Sequence, residues 1–368
     1  MVLTKKGQVE ITFNWIYILI AGTVILLFFV GLVYKQKAVS EEKLTIEVVE
    51  ILDSILRGAS VAEKTKNFVN TGGIAGYTLQ FSCDEGVSNY GIKDSSFQEE
   101  NAVTPIFSLP EIQSPRLIFW SLPYKLPYKI IDLLFITSAN TNYVFLGANN
   151  FVNEFLDATT ESDPFLKIST EVKQNIGEVT AGGNTYLRLI DVDGTHGISD
   201  NQQLPVNLKY LDEERITAVV FRSVQSVDFF IVQNGKWKKT NFNSINLVSL
   251  GGERDAAKYA AIFAGNDKIY ECNMEKAFKR MVYLDEVYQG KVEDLVTFYQ
   301  QSGVNNKNVC LTHLINAPEQ NLRTLLGTHH ARARSCVLGS NCEDLVEPSE
   351  KIITVNDNLE SEGCVKLY

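Results

Sequence analysis

Hydrophobic positions in this chain form one long uncharged run followed by many short ones. The run, Ile11 to Tyr34, holds 24 residues without a charge. As a helix rising about 1.5 Å per residue it spans roughly 36 Å, more than the ~30 Å of a bilayer core. Hydrocarbon offers no water to backbone groups, so the pattern predicts a membrane-spanning helix over 11–34. Trp15, Tyr17 and Tyr34 suit its two interfaces, with Lys5, Lys6, Lys35 and Lys37 just outside. From Ala38 to Asn70 there is no Pro, and Leu44, Val48, Ile51, Leu52, Ile55 and Leu56 recur at helical spacing. This predicts an amphipathic stalk helix over 35–70, stopped by Thr71-Gly72-Gly73.

From Gly76 onward the pattern turns to strands. Tyr77 to Phe81 alternates, while the polar, Pro-containing 84–115 reads as a surface excursion. Arg116–Ser121, Ile130–Thr137, Tyr143–Leu146, Thr180–Val192, Ile216–Phe221 and Asp228–Val232 read as strands, and Asn149–Asp157 as a helix. Asn234-Gly235 before Lys236–Lys239 is a strong hairpin signal. Ile245–Leu250 leads through Gly251-Gly252 into a helix at Glu253–Ala264, and Tyr270–Tyr288 and Val292–Gln301 read as two more. Alternating strands and helices predict an α/β or α+β ectodomain with a mixed sheet, preceded by one N-terminal transmembrane helix. The predicted division is a basic cytoplasmic tip (1–10), the membrane helix (11–34), the stalk (35–70), an ectodomain (71–303) with a subdomain break near 200–215, and a cysteine-rich segment (304–368).

Ahead of the apolar run the chain reads Lys5-Lys6-Gly7-Gln8-Val9-Glu10. This resembles the prepilin-type (class III) signal of archaeal type IV pilin-like proteins, in which the peptidase cuts after the residue matching Gly7, before Gln8. Glu10 falls third in the mature chain, where that family's glutamate is fifth. The segment Phe13 to Gly22, and a second at Tyr270 to Phe278, resemble motifs of uncharacterised single-pass archaeal membrane proteins. That resemblance implies a topology and no activity.

The composition suits a packed domain, with 45% hydrophobic residues, 20 Phe, 15 Tyr and 3 Trp. A net charge of −10 repels phosphate backbones and argues against nucleic-acid binding. Lysines flank the apolar run on both sides, so charge does not orient it. The six cysteines, Cys83, Cys272, Cys310, Cys336, Cys342 and Cys364, are even in number, which fits disulfides outside the cytoplasm; sequence alone leaves 15 pairings open.

Candidate chemistry is sparse. Asp191-Val192-Asp193-Gly194-Thr195, after the apolar Leu187–Ile190, resembles the opening motif of haloacid-dehalogenase-type phosphatases, which implies Asp191 as nucleophile and Asp193 as general acid. More than 100 residues of domain precede it and no ordered Lys and acid follow, so a solvent-facing turn is the expectation, with simple cation binding as a further alternative. Gly251-Gly252 lacks the Lys and further glycines of a phosphate loop and reads as a tight connection. His313, His329 and His330 lie near Cys310, Cys336 and Cys342, residue types that ligate zinc, although Cys336 and Cys342 are spaced wrongly for common structural sites. Arg332 and Arg334 make a small basic tip. No serine-hydrolase elbow or zincin motif occurs, and no cofactor is expected. The expectation is a membrane-anchored cell-surface protein, in contact with the bilayer and an envelope partner, with a binding or assembly role. The alternatives are a tethered phosphohydrolase using Asp191 and Asp193, and a pilin-like filament subunit.

Overall fold

A computed structural model describes residues 20, 23, 27, 49–50, 54, 66–71, 76–95, 98–301, 307–318, 320–338 and 341–368. The chain divides into two compact units, Met1–Leu52 and Asp53–Tyr368. In the first, Ile20, Thr23, Leu27, Val49 and Glu50 are helical, with Ile20 and Leu27 exposed. Among the described residues no helix is long and apolar enough to cross a membrane, and this corrects the expected fold, which placed a transmembrane helix before the domain. Apart from Ile20, Thr23 and Leu27, the run Ile11–Tyr34 lies outside the described residues, as do Gly7, Gln8 and most of the predicted stalk. The stalk reading is also corrected at its far end. Lys66–Asn70 is a strand, β1, because an extended segment there satisfies its backbone groups against a sheet edge.

Among the described residues the second unit has three sheets. Its further strands are β2 (Leu79–Asp84), β3 (Val87–Ile92), β4 (Gln98–Asn101), β5 (Ile106–Phe107), β6 (Glu111–Ile112), β7 (Arg116–Lys125), β8 (Lys129–Ser138), β9 (Thr141–Leu146), β10 (Ser169–Lys173), β11 (Tyr186–Asp191), β12 (Ile216–Ser223), β13 (Ser226–Gln233), β14 (Lys236–Lys239) and β15 (Ile245–Asn246). The longer helices are α1 (Asn150–Thr159), α2 (Ala256–Phe263), α3 (Asp267–Gln300), α4 (Leu322–Val337) and α5 (Val346–Ser361). One sheet runs β1-β7-β8-β5, with only β5 parallel to its neighbour. The central sheet runs β10-β9-β11-β12-β13-β14, with β15 beside β13; β10, β9, β11 and β12 are parallel and the rest antiparallel. The third, β4-β3-β2-β6, is antiparallel. The domain is therefore α+β with two mixed sheets, and the expected surface excursion over 84–115 instead holds β3 to β6. Pro123 sits inside β7, past the reach of β1, where among the described residues one edge of β7 has no partner strand.

Side-chain alternation places the core on both faces of the central sheet. Tyr143 and Phe145 of β9, Ile190 of β11 and Val219 and Phe221 of β12 face one core, with the helices and the β7–β8 sheet. Trp120, Phe135, Phe155, Tyr259 and Phe263 meet there edge to face, stacked or tilted, at centroid distances of 4.9–6.4 Å. Val144, Leu146, Leu187, Leu189, Ala218 and Val220 face the other way, under Val179, Ile198, Leu204, Leu208 and Leu211. Residues 200–215 are thus the cover of a sheet face and not a subdomain break. The cysteine-rich 304–368 likewise belongs to the main core, through Leu322, Leu326, Ile352 and Leu359.

Arg188 is the exception on the helical face. It is fully buried and, among the described residues, has no carboxylate partner; its guanidinium donates to the carbonyls of Ala261, Ile262, Ala264 and Gly265 at 2.5–3.4 Å. These are the free carbonyls at the negative end of α2, so the cation caps a helix inside the core. Burial pushes its pKa down to about 9.

Candidate functional site

The central sheet reverses its direction of growth between β9 and β11. From β9 the chain passes through α1 to edge strand β10, then returns to β11 on the opposite side of β9. In open α/β sheets the crevice beyond the carboxyl ends of two such strands is where ligands bind. Here β9 ends in Gly147-Ala148-Asn149, with Asn149 capping α1 through Val152 N at 3.0 Å. β11 ends in Asp191, followed by Val192-Asp193-Gly194-Thr195-His196.

Asp191 is completely buried, which corrects the expectation that it lies in a solvent-facing turn; Asp193 is exposed. Strand β11 is buried on both faces, so its last side chain enters the crevice base instead of leaving the sheet. Asp191 Oδ1 accepts from Gly194 N at 2.8 Å, and Oδ2 accepts from His196 N at 3.0 Å. His196 Nδ1 lies 3.0 Å from Asp191 Oδ1 and 3.2 Å from Asp193 Oδ1. Asp193 Oδ1 in turn accepts from Thr195 N at 3.0 Å and Thr195 Oγ1 at 2.6 Å. The Thr195 hydroxyl is the main reason that the Asp193 carboxyl is held below its usual range. Gly147, at φ +86°, completes the base: a Cβ there would fall 2.8 Å from His196 Cε1 and 3.1 Å from Val192 Cγ2. Glycine is the residue that lets the imidazole lie flat against the neighbouring loop.

Beside this loop is a cleft of about 790 Å³ whose lining includes Asn149, Phe151, Asp193, Phe221, Arg222 and Lys258. Both of its cations are already paired. Arg222 Nε is 2.7 Å from Asp228 Oδ2, and Lys258 Nζ is 3.7 Å from Asp255 Oδ2. A nucleophilic aspartate needs an approach path for the phosphorus, and a phosphoryl site needs a free cation. Asp191 offers no exposed surface, and each of its oxygens already accepts a backbone N–H.

The other candidates resolve differently. The six cysteines form Cys83–Cys272, Cys310–Cys364 and Cys336–Cys342. A cysteine ligates zinc only as its thiolate, and Cys336 and Cys342 are bonded to each other, so the zinc reading of His329 and His330 with Cys336 and Cys342 is corrected. His329 is instead fully buried against Asp285, with Nδ1 2.8 and 2.9 Å from the two carboxylate oxygens, and Tyr128 Oη donates to the same carboxylate. His330 Nε2 lies 3.6 Å from Glu286, and His313 Nε2 3.1 Å from Glu362. Arg332 Nη1 donates to the carbonyl of Asp344 at 2.5 Å. Gly251 and Gly252, at φ +72° and +97°, form the turn before α2, whose N-cap is Asp255.

Sequence reasoning missed what the segment Tyr270 to Phe278 does. Cys272 bonds covalently to β2, and Asn273 Oδ1 accepts from Ser88 Oγ and Ile106 N, both at 2.9 Å. Lys276 Nζ donates to Ser88 Oγ at 2.6 Å and to the carbonyls of Asn101 and Thr104 at 2.7 and 3.1 Å. The segment clamps the β2–β3 sheet onto α3. The available signal was Cys272, Asn273 and Lys276 at i, i+1 and i+4, adjacent on one helical face.

No protein-family profile, curated protein or solved structure matches this chain.

Proposed function

We propose that this is a cell-surface protein whose disulfide-bonded α+β domain works outside the cytoplasm, binding or assembling with another envelope component. The observation that supports this reading best is that all six cysteines are paired, one pair spanning 189 residues. Outside hyperthermophiles, reducing compartments rarely maintain such a set, whereas extracytoplasmic ones do. Attachment to the bilayer rests on the uncharged sequence of Ile11–Tyr34 alone. A binding role is favoured over phosphoryl transfer because Asp191 has no exposed surface and the cleft cations are neutralised. Membrane-impermeant, amine-reactive biotin applied to intact cells tests the location. The domain's exposed lysines should be labelled before lysis, while a cytoplasmic control protein is not. Labelling only after lysis would reverse the reading.

A further inference from the structure

We propose that Asp191, Asp193 and His196 form a binding site for a divalent transition-metal ion at the crevice between β9 and β11. One oxygen of each carboxylate and one ring nitrogen all lie within 4.8 Å of one another. The nitrogen is 3.0 and 3.2 Å from the two oxygens. Metal–ligand bonds of about 2.0–2.1 Å, at tetrahedral or octahedral angles, put neighbouring donors roughly 3.0–3.4 Å apart. Two of the three donor spacings therefore match the edges of a first coordination shell, and the third lies within 4.8 Å.

Charge points the same way. Among the described residues neither aspartate is ion-paired with Lys or Arg, and one imidazole nitrogen faces both carboxylates. A divalent ion held between them would neutralise both. The donors are also preset by the fold. Asp191 is anchored by Gly194 N and His196 N, Asp193 by Thr195, and the imidazole lies in the space that Gly147 leaves open. Asp191 keeps its shorter backbone bonds, from Gly194 N and His196 N, when its Oδ1 ligates, because a carboxylate has about four lone-pair sites. The mixed nitrogen–oxygen set suits Zn²⁺ or Mn²⁺ and is too small and too nitrogen-rich for Ca²⁺, which takes 6–8 oxygens. Three protein donors leave at least one position for water or a ligand oxygen. With every cysteine in a disulfide, thiolates do not compete for the metal.

The site stands apart from where the protein resides, so its test is separate. Tag-free, disulfide-intact protein is titrated calorimetrically with Zn²⁺, and then with Ca²⁺. The expected result is one saturable Zn²⁺ site, weakened at least tenfold in His196→Gln and in Asp193→Asn. His313→Gln should bind Zn²⁺ as the parent does, since it shares no group with the site. Circular dichroism of Asp193→Asn, whose side chain is exposed, should match the parent, separating lost binding from lost folding. Absence of saturable Zn²⁺ binding up to 1 mM (about 4 kcal/mol of affinity) overturns the proposal. So does binding that survives both substitutions, or a preference for Ca²⁺.

Discussion

Lys276 is the residue whose chemistry departs furthest from its solution behaviour with a measurable consequence. It is buried and has three neutral acceptors, and burial pushes its pKa down from 10.5 to about 7. Because the folded value lies below the unfolded one, the unfolded chain binds more protons between these limits, and stability rises with pH there. Denaturant titrations from pH 7 to 9 should show stability climbing by about 1 kcal/mol per pH unit. In Lys276→Met that slope should disappear, whatever the absolute loss. An unchanged slope would assign the effect to other groups. Arg188, whose pKa is about 9, adds to the same trend only above this window. Neither residue was legible as buried. A lone Lys or Arg in sequence reads as surface, and only the tertiary fold shows that Arg188 meets the open end of a helix 73–77 residues away. Asp191 was misjudged for the same reason. Its Asp-Gly neighbourhood says turn, whereas its exposure depends on the sheet packed around it.

Elements were legible in proportion to their local signal. Asn234-Gly235, with φ of 54° and 69°, makes the predicted two-residue hairpin between β13 and β14. The expected helix at Asn149–Asp157 appears as α1, capped by Asn149. By contrast, β3 to β6 were hidden because β5 and β6 have two residues each and β4 is polar throughout. Two helices were expected where α3 runs unbroken for 34 residues. Gly290 costs a helix interior roughly 1 kcal/mol, but Val292, Val296 and Tyr299 extend the buried stripe of Ile269, Met274 and Met281 past it. The joint of α2 to β11 gives an element-scale prediction. Arg188→Lys keeps the charge but cannot serve four carbonyls with a planar fork, so it should destabilise the domain by about 2–4 kcal/mol in chemical denaturation. A loss below 0.5 kcal/mol would show that the cap contributes little.

At the scale of the domain, Asp53–Tyr368 is a central sheet buried on both faces and tied by covalent bonds to its peripheral parts. Cys83–Cys272 fixes the antiparallel β2–β3 sheet to α3, Cys310–Cys364 holds the chain's last residues to the helical layer, and Cys336–Cys342 closes the loop after α4. Each such bond contributes about 2–4 kcal/mol by restricting the unfolded chain. The even cysteine count was visible in sequence, but the pairing was not, because it depends on which surfaces the three sheets bring together. The switch point was hidden likewise, since it is a property of strand order and not of any motif. The central claim, an oxidised domain outside the cytoplasm, is tested most directly by mass spectrometry of protein taken from its native cells, alkylated at lysis and digested without reduction. The account predicts peptides linked as Cys83–Cys272, Cys310–Cys364 and Cys336–Cys342. Six freely alkylated thiols would contradict it and place the domain in a reducing compartment.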